Sequence, residues 1–149
     1  MGNRGDILVH SDDFKLIVRV KGGGQSSADL AARFRYSLIE HELIPKTEYF
    51  LLALPDYLYL WKEKNTLETV PPDYIIRTFS VLKKYLTTSD TEPKLIIKEA
   101  LEMALTHWLR DVASSPERPP VGSDAYRILV ESGLLDAITQ REVTAEFHL

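Results

Sequence analysis

Apolar and polar positions alternate from Asp6 to Lys21 with the two-residue period of a β-strand. The order is DILV, a polar break at HSDDF, then KLIVRVK. β-branched runs on either side of Ser11-Asp12-Asp13 predict two strands joined by a tight turn. Successive side chains on a strand point to opposite faces, so Lys15, Ile17, Arg19 and Lys21 share one face and Leu16, Val18 and Val20 the other. Antiparallel pairing would bring Asp6 opposite the Arg19/Lys21 end. Gly22-Gly23-Gly24 then leads into a helical period from about Ser26 to His41. Ser26 and Asp29 have the spacing of a capping box at its start. Leu30, Phe34, Leu38 and Ile39 form its predicted apolar stripe, with Asp29, Arg33, Ser37 and Glu40 on another face.

Further on, Glu48–Leu54 is a continuous apolar run, as in a strand buried on both faces. Pro55-Asp56 predicts a turn, and Tyr57–Lys62 returns with Tyr57, Tyr59 and Trp61 on one face and Leu58 and Leu60 on the other. An aromatic row of this kind either packs in a core or stacks nucleic-acid bases. Pro71-Pro72-Asp73 opens a predicted helix to about Leu86, with Ile75, Ile76, Phe79, Leu82 and Leu86 inward. A polar loop at Thr87–Pro93 closes it. A longer helix is expected from about Lys94 to Ala113, on the spacing of Ile97, Leu101, Ala104, Leu105, Trp108 and Val112. The proline-bearing stretch Ser114–Ser123 reads as a linker. A last helix from Asp124 to about Ile138 is interrupted near Gly133, and Glu142–Phe147 reads as a closing strand.

The residues of the first hairpin resemble a known family. A carboxylate at one strand start, then a hairpin, then a strand ending acid-any-Lys resembles the PD-(D/E)xK restriction-endonuclease-like superfamily. The helix with Arg33 and Arg35, the stretch YFLLALPDYLYLWKEK and the final SGLLDAI extend the similarity to a group of small proteins of photosynthetic bacteria placed in that superfamily. The resemblance implies a restriction-endonuclease-like mixed β-sheet flanked by helices, here with a helical C-terminal half. It implies one domain over 1–149, with a nuclease-like core at 1–88 and a helical extension at 89–149. In the family two acids hold magnesium and the Lys assists attack on a phosphodiester, which would give roles to Asp6 and Lys21.

Two departures reshape that expectation. Gly5 stands where the family has Pro, and Arg19 stands where it has the second acid. Magnesium takes hard oxygen ligands, whereas a guanidinium only donates hydrogen bonds and does not deprotonate. An ion pair between Arg19 and Asp6 would fill the metal's place. Asp29, in the first turn of the expected helix, is either a helix-start residue or a migrated metal acid beside Asp6, with Glu40 as a further candidate. The family core also begins with a helix and a strand, and only Met1–Gly5 precede Asp6 here. The fold is therefore expected to be N-terminally shortened. The strand edge at Ile7–Val9 then needs cover, expected from a second copy, a partner protein or the segment Glu142–His148.

Composition limits the classes of function. The 149 residues fit one domain. With 18 Lys+Arg against 22 Asp+Glu, the net charge is −4, so there is no global basic field and any phosphate contact must be local. Lys21, Arg33 and Arg35 are the candidates for that patch. The absence of cysteine excludes disulfides and thiolate metal sites. No long uncharged apolar run suggests a membrane span, and a cytoplasmic location is expected. The four histidines, at 10, 41, 107 and 148, lack metal-ligand spacing. Gly22–Ser27 lacks the Lys-Ser/Thr of a phosphate-binding loop, yet a loop before a helix start can hold an anion.

Three functions follow. The first is a nuclease-like protein with a degenerate metal site, working as a non-catalytic DNA-binding or interaction module. The second is an active magnesium-dependent endonuclease using Asp6, Arg19 and Lys21, with Asp29 as the second metal ligand. The third is a small-anion or nucleotide binder using the Gly22–Ser27 loop.

Overall fold

The computed structural model describes residues 7–22, 26–41, 47–62, 69–86, 98–114 and 124–145. They form β1 (Ile7–Ser11), β2 (Phe14–Val20), α1 (Ala28–Glu40), β3 (Tyr49–Ala53), β4 (Tyr57–Lys62), β5 (Tyr74–Arg77), α2 (Thr78–Leu82), a 3-10 turn (Lys83–Tyr85), α3 (Lys98–Ser114), α4 (Asp124–Glu131), α5 (Leu134–Ile138) and β6 (Glu142–Ala145). The strands make one six-stranded mixed sheet in the order β5-β4-β3-β2-β1-β6. Only β2 and β3 run parallel. A parallel pair needs a crossover long enough to return the chain to the same end of the sheet, and α1 supplies it.

The two-residue period of the sequence becomes two apolar layers. Ile7, Val9, Leu16, Val18, Val20, Leu51, Leu58, Leu60 and Ile76 face one side, where Leu101, Leu105, Trp108 and Leu109 of α3 and Leu134, Leu135 and Ile138 of α5 pack on them. Ile17, Phe50, Leu52, Leu54, Tyr59 and Trp61 face the other side, under Ala31, Ala32 and Leu38 of α1. The aromatic row of β4 is thus core, with Phe50 and Trp61 5.7 Å apart between ring centroids. The larger layer draws on residues both before and after position 88, so the C-terminal helices form one face of the same core.

The first hairpin forms as its alternation requires, in the register Ile7↔Val18 to Ser11↔Phe14. The edge of β1 is occupied by the chain's own β6, Ile7↔Ala145 to His10↔Glu142. Of the covers expected for that edge, the C-terminal segment takes the place, and a second copy is not needed there. Arg141 fastens the junction, with its guanidinium 4.2 Å from the Phe14 ring centroid and its Nε donating to Ser11 Oγ at 3.0 Å.

Three expected elements differ. The segment expected as a helix from Asp73 to Leu86 is a strand at Tyr74–Arg77 before α2 begins at Thr78. Pairing with β4 recruits Tyr74, Ile75 and Ile76, and tertiary pairing outweighs a spacing that also suits a helix. The α1 cap is Ser27, whose side chain accepts from the Leu30 amide, and not Ser26. Leu30 lies outward at 56% exposure, and Arg35 takes an inward place at 2%. The last helix breaks where expected, at Gly133 with φ +80°. Of the stretch read as a linker, Ser114 is the last residue of α3, and residues 115–123 lie outside the described residues. Among the described residues no helix is long and apolar enough to cross a membrane.

Candidate functional site

The C-terminal ends of parallel strands are where open α/β sheets commonly present ligands. Here that end is where β2 runs into the Gly22–Ser27 stretch and β3 into the Pro55-Asp56 turn. The Lys21 amide donates to Ala53 O at 3.0 Å, carrying the parallel pairing one residue past the end of β2. Arg19 and Lys21 point to the α1 side, as their spacing from the buried Ile17 requires. Lys21 is exposed, with Nζ 4.5 Å from the centroid of the Phe34 ring in α1. Arg19 is half-buried. Asp6 lies outside the described residues, and with it the expected Asp6–Arg19 pair.

The candidates on α1 separate into three environments. Asp29 and Arg33 form an exposed ion pair one turn apart, 2.7 Å between Oδ2 and Nη2. Glu40 is at the opposite end of α1, about 17 Å of helix from Asp29 at 1.5 Å per residue. The two alternative acids therefore cannot serve one place. Arg35 is buried, its guanidinium carbon 5.5 Å from the centroid of the Trp61 ring. Burial lowers its pKa and the charge of Asp73 opposes that shift. A phosphate backbone does not reach a side chain 2% exposed, so Arg35 leaves the set of phosphate contacts and joins the core. Among the described residues, no group of three or more His, Asp or Glu side chains is arranged to hold a metal ion.

A polar cluster that the sequence reading did not assemble sits at the start of α1. Asp56 accepts from the Ser26 amide at 2.8 Å, from Ser26 Oγ at 2.7 Å and from the Tyr57 amide at 2.9 Å. Ser26 Oγ is also 2.7 Å from the Tyr59 hydroxyl. Burial, foremost, and the nearby Asp56 charge raise the Tyr59 pKa, while its hydrogen bond to Ser26 acts the other way. The turn is anchored from behind, because Thr78 donates its amide to Asp56 O and its hydroxyl to Leu54 O. An acid next to Pro in a turn was legible; its partner thirty residues earlier carried no spacing signal. Asp56 thus occupies the place at Ser26 that an incoming anion would need.

At the opposite flank, on the same sheet face, His10 Nε2 is 3.2 Å from Thr144 Oγ1 and 3.9 Å from Glu142 Oε2. This contact joins β1 to β6 side by side.

No family model matches the chain, and no solved structure matches it. Among curated proteins it is similar to a bifunctional type I diterpene synthase of Aspergillus flavipes, 28% identical over 109 residues. That match covers 69% of this chain and 14% of the synthase, so the chain spans about a seventh of the length of the curated relative it matches.

Proposed function

We propose that this chain is a nuclease-like protein with a degenerate PD-(D/E)xK metal site, acting as a non-catalytic DNA-binding or interaction module. The observation that carries this reading is Arg19 on the same strand face as Lys21, two residues before it, at the C-terminal end of β2 and on the side of α1. The order hairpin, helix, parallel strand supports the restriction-endonuclease-like fold. A guanidinium does not ligate magnesium, so the donor set at this strand end does not fit the family's metal. What remains is cationic: exposed Lys21 over the Phe34 ring of α1, with exposed Arg33, paired with Asp29, on the same helix. Such groups contact phosphate without reading sequence.

The two competing readings each meet an occupied position. In an active magnesium-dependent endonuclease, Asp29 would have to leave Arg33 to act as the second acid. In an anion binder, Asp56 would have to release Ser26. Titration with manganese by calorimetry, alone and with a short DNA duplex at low salt, separates the three. The expected result is no manganese binding and weak duplex binding. With two or three phosphate contacts, log K should fall with log salt at a slope of about −2 to −3. Manganese binding lost in Asp6→Asn would restore the enzyme; silence toward both ligands would leave protein interaction alone.

A further inference from the structure

We infer that Phe34, beneath Lys21 on α1, is a stacking place for a base of single-stranded nucleic acid, a partner class that rests on the proposed DNA-binding reading and narrows it. The starting point is how the ring sits. Phe34 is half-buried and packs against the apolar layer that α1 covers. Its ring also carries the ammonium of Lys21, 4.5 Å from the centroid, and Lys21 is an exposed residue. A ring face reached by an exposed side chain lies at the surface. Leu30, one turn earlier on the same helix face and 56% exposed, extends that apolar surface.

The occupant follows from the combination of groups. Cations alone suit any phosphate, and Lys21 together with exposed Arg33, the residue before Phe34, supplies them. An outward aromatic face asks in addition for a flat partner. A duplex turns its bases inward and presents phosphates and groove edges, so it would leave Phe34 and Leu30 unused. A single strand offers both a planar base for the ring and a phosphate beside each base for the cations. Every base has such a face, so little dependence on sequence is expected.

Two contacts change on binding, and both are exposed. A lysine over an exposed ring is held weakly beside what base stacking contributes, so a base displaces the ammonium from Phe34 and Lys21 turns to the adjoining phosphate. Arg33 exchanges one anion for another, the Asp29 carboxylate for a phosphate. Arg35 takes no part, because its guanidinium lies in the core over Trp61.

Fluorescence anisotropy at low salt tests this on the full chain with three labelled probes of about 12 nucleotides: oligothymidylate, an abasic strand of the same length, and a duplex. Oligothymidylate is expected to bind at least about fivefold tighter than the other two, since the abasic strand keeps the phosphates and lacks the bases. Phe34→Leu keeps an apolar side chain in place and removes the aromatic face. It should lower oligothymidylate affinity by at least about fivefold and leave the abasic strand unchanged, whereas Phe34→Trp should hold or raise it. Lys21→Gln should weaken all three and make the slope of log K against log salt shallower by about 0.7 for the single strands. Circular dichroism checks that each variant folds. A duplex bound as tightly as the strand, or a strand indifferent to Phe34→Leu, overturns the inference and leaves the proposed function standing. Silence toward all three probes overturns the inference and the DNA-binding reading together and leaves a protein partner.

Discussion

Asp56 binds both the amide and the hydroxyl of Ser26, thirty residues away, and so ties the β3–β4 turn to the entry of α1. The carboxylate sits at the entry of α1 and accepts three hydrogen bonds, from the Ser26 amide, Ser26 Oγ and the Tyr57 amide. Asp56→Ala leaves Ser26 and Tyr57 donors short of an acceptor and is expected to cost about 2–3 kcal/mol, read from urea unfolding. Asp56→Asn keeps an acceptor oxygen and should lose less than half as much. Equal losses in the two variants would show that the hydrogen bonds contribute little.

Tyr59 makes that cluster sensitive to alkali. Its pKa is raised in the folded chain, so above the unfolded value of about 10 the folded state holds a proton that the unfolded chain has released. The contribution is complete below pH about 10 and is lost as pH rises through the folded pKa. The wild type should lose stability as pH rises above about 10, and Tyr59→Phe should show a shallower fall over the same range. The comparison cancels the other six tyrosines of the chain. A parallel pair of curves would exclude Tyr59 as the source.

Most of the sheet and much of its helical cover were legible because they rest on short-range periodicity. The alternation in KLIVRVK, the run YFLLA and the aromatic row of β4 each state which face is buried. Gly133 marked the break between α4 and α5, and Glu142 onward read as the strand that does pair with β1. The misreadings share a different cause. Ile75, Ile76, Phe79 and Leu82 fit a helical stripe as well as a strand followed by a helical turn, and only pairing with β4 decides. Ser26 and Ser27 are both good caps; Asp56 removes Ser26 from the choice. Arg35 lies on the inward face between Ala31, Ala32 and Leu38, where its charge hides it from any polarity pattern. The Ser26–Asp56–Tyr59 cluster exists only after folding.

Arg35 is expected to act as a core residue. It lies over Trp61 and is 2% exposed, so Arg35→Ala removes a long stem and its cation–π contact together. A loss of about 2–4 kcal/mol in chemical denaturation is expected. Arg35→Met, which keeps most of the volume, should recover about half. A variant with unchanged stability and weakened DNA binding would return Arg35 to the phosphate contacts.

Gly133 carries a strain that any side chain would feel. Its φ of +80° is left-handed, and an added Cβ would stand 3.1 Å from the Tyr49 hydroxyl, which donates to Ser132 O at 2.8 Å. Gly133→Ala is expected to cost about 1–2 kcal/mol from backbone conformation alone. That corresponds to about 3–6 °C in Tm for a chain of this size. Gly133→Ala with Tyr49→Phe separates the terms, because the double variant keeps the backbone cost and lacks the crowded hydroxyl. Additive losses would mean that the hydroxyl does not crowd the site.

Arg19→Glu tests the ancestry of the site most directly. It places a carboxylate two residues before Lys21 on the same strand face, the order acid-any-Lys that the resemblance requires. Arg19 pairs with Leu52 of β3 in the ladder and follows Val18, which is paired with Ile7 of β1, so the substitution is expected to change the side chain without moving the strand. If the guanidinium has displaced an acid, manganese affinity absent from the wild type should become measurable by calorimetry in Arg19→Glu. Asp6→Asn added to that variant should abolish it. Arg19→Gln removes the cation without supplying a ligand and should remain silent. Affinity in Arg19→Gln equal to that in Arg19→Glu would attribute binding to lost repulsion. Silence in Arg19→Glu, in a protein that folds normally, would count against a metal-site ancestor.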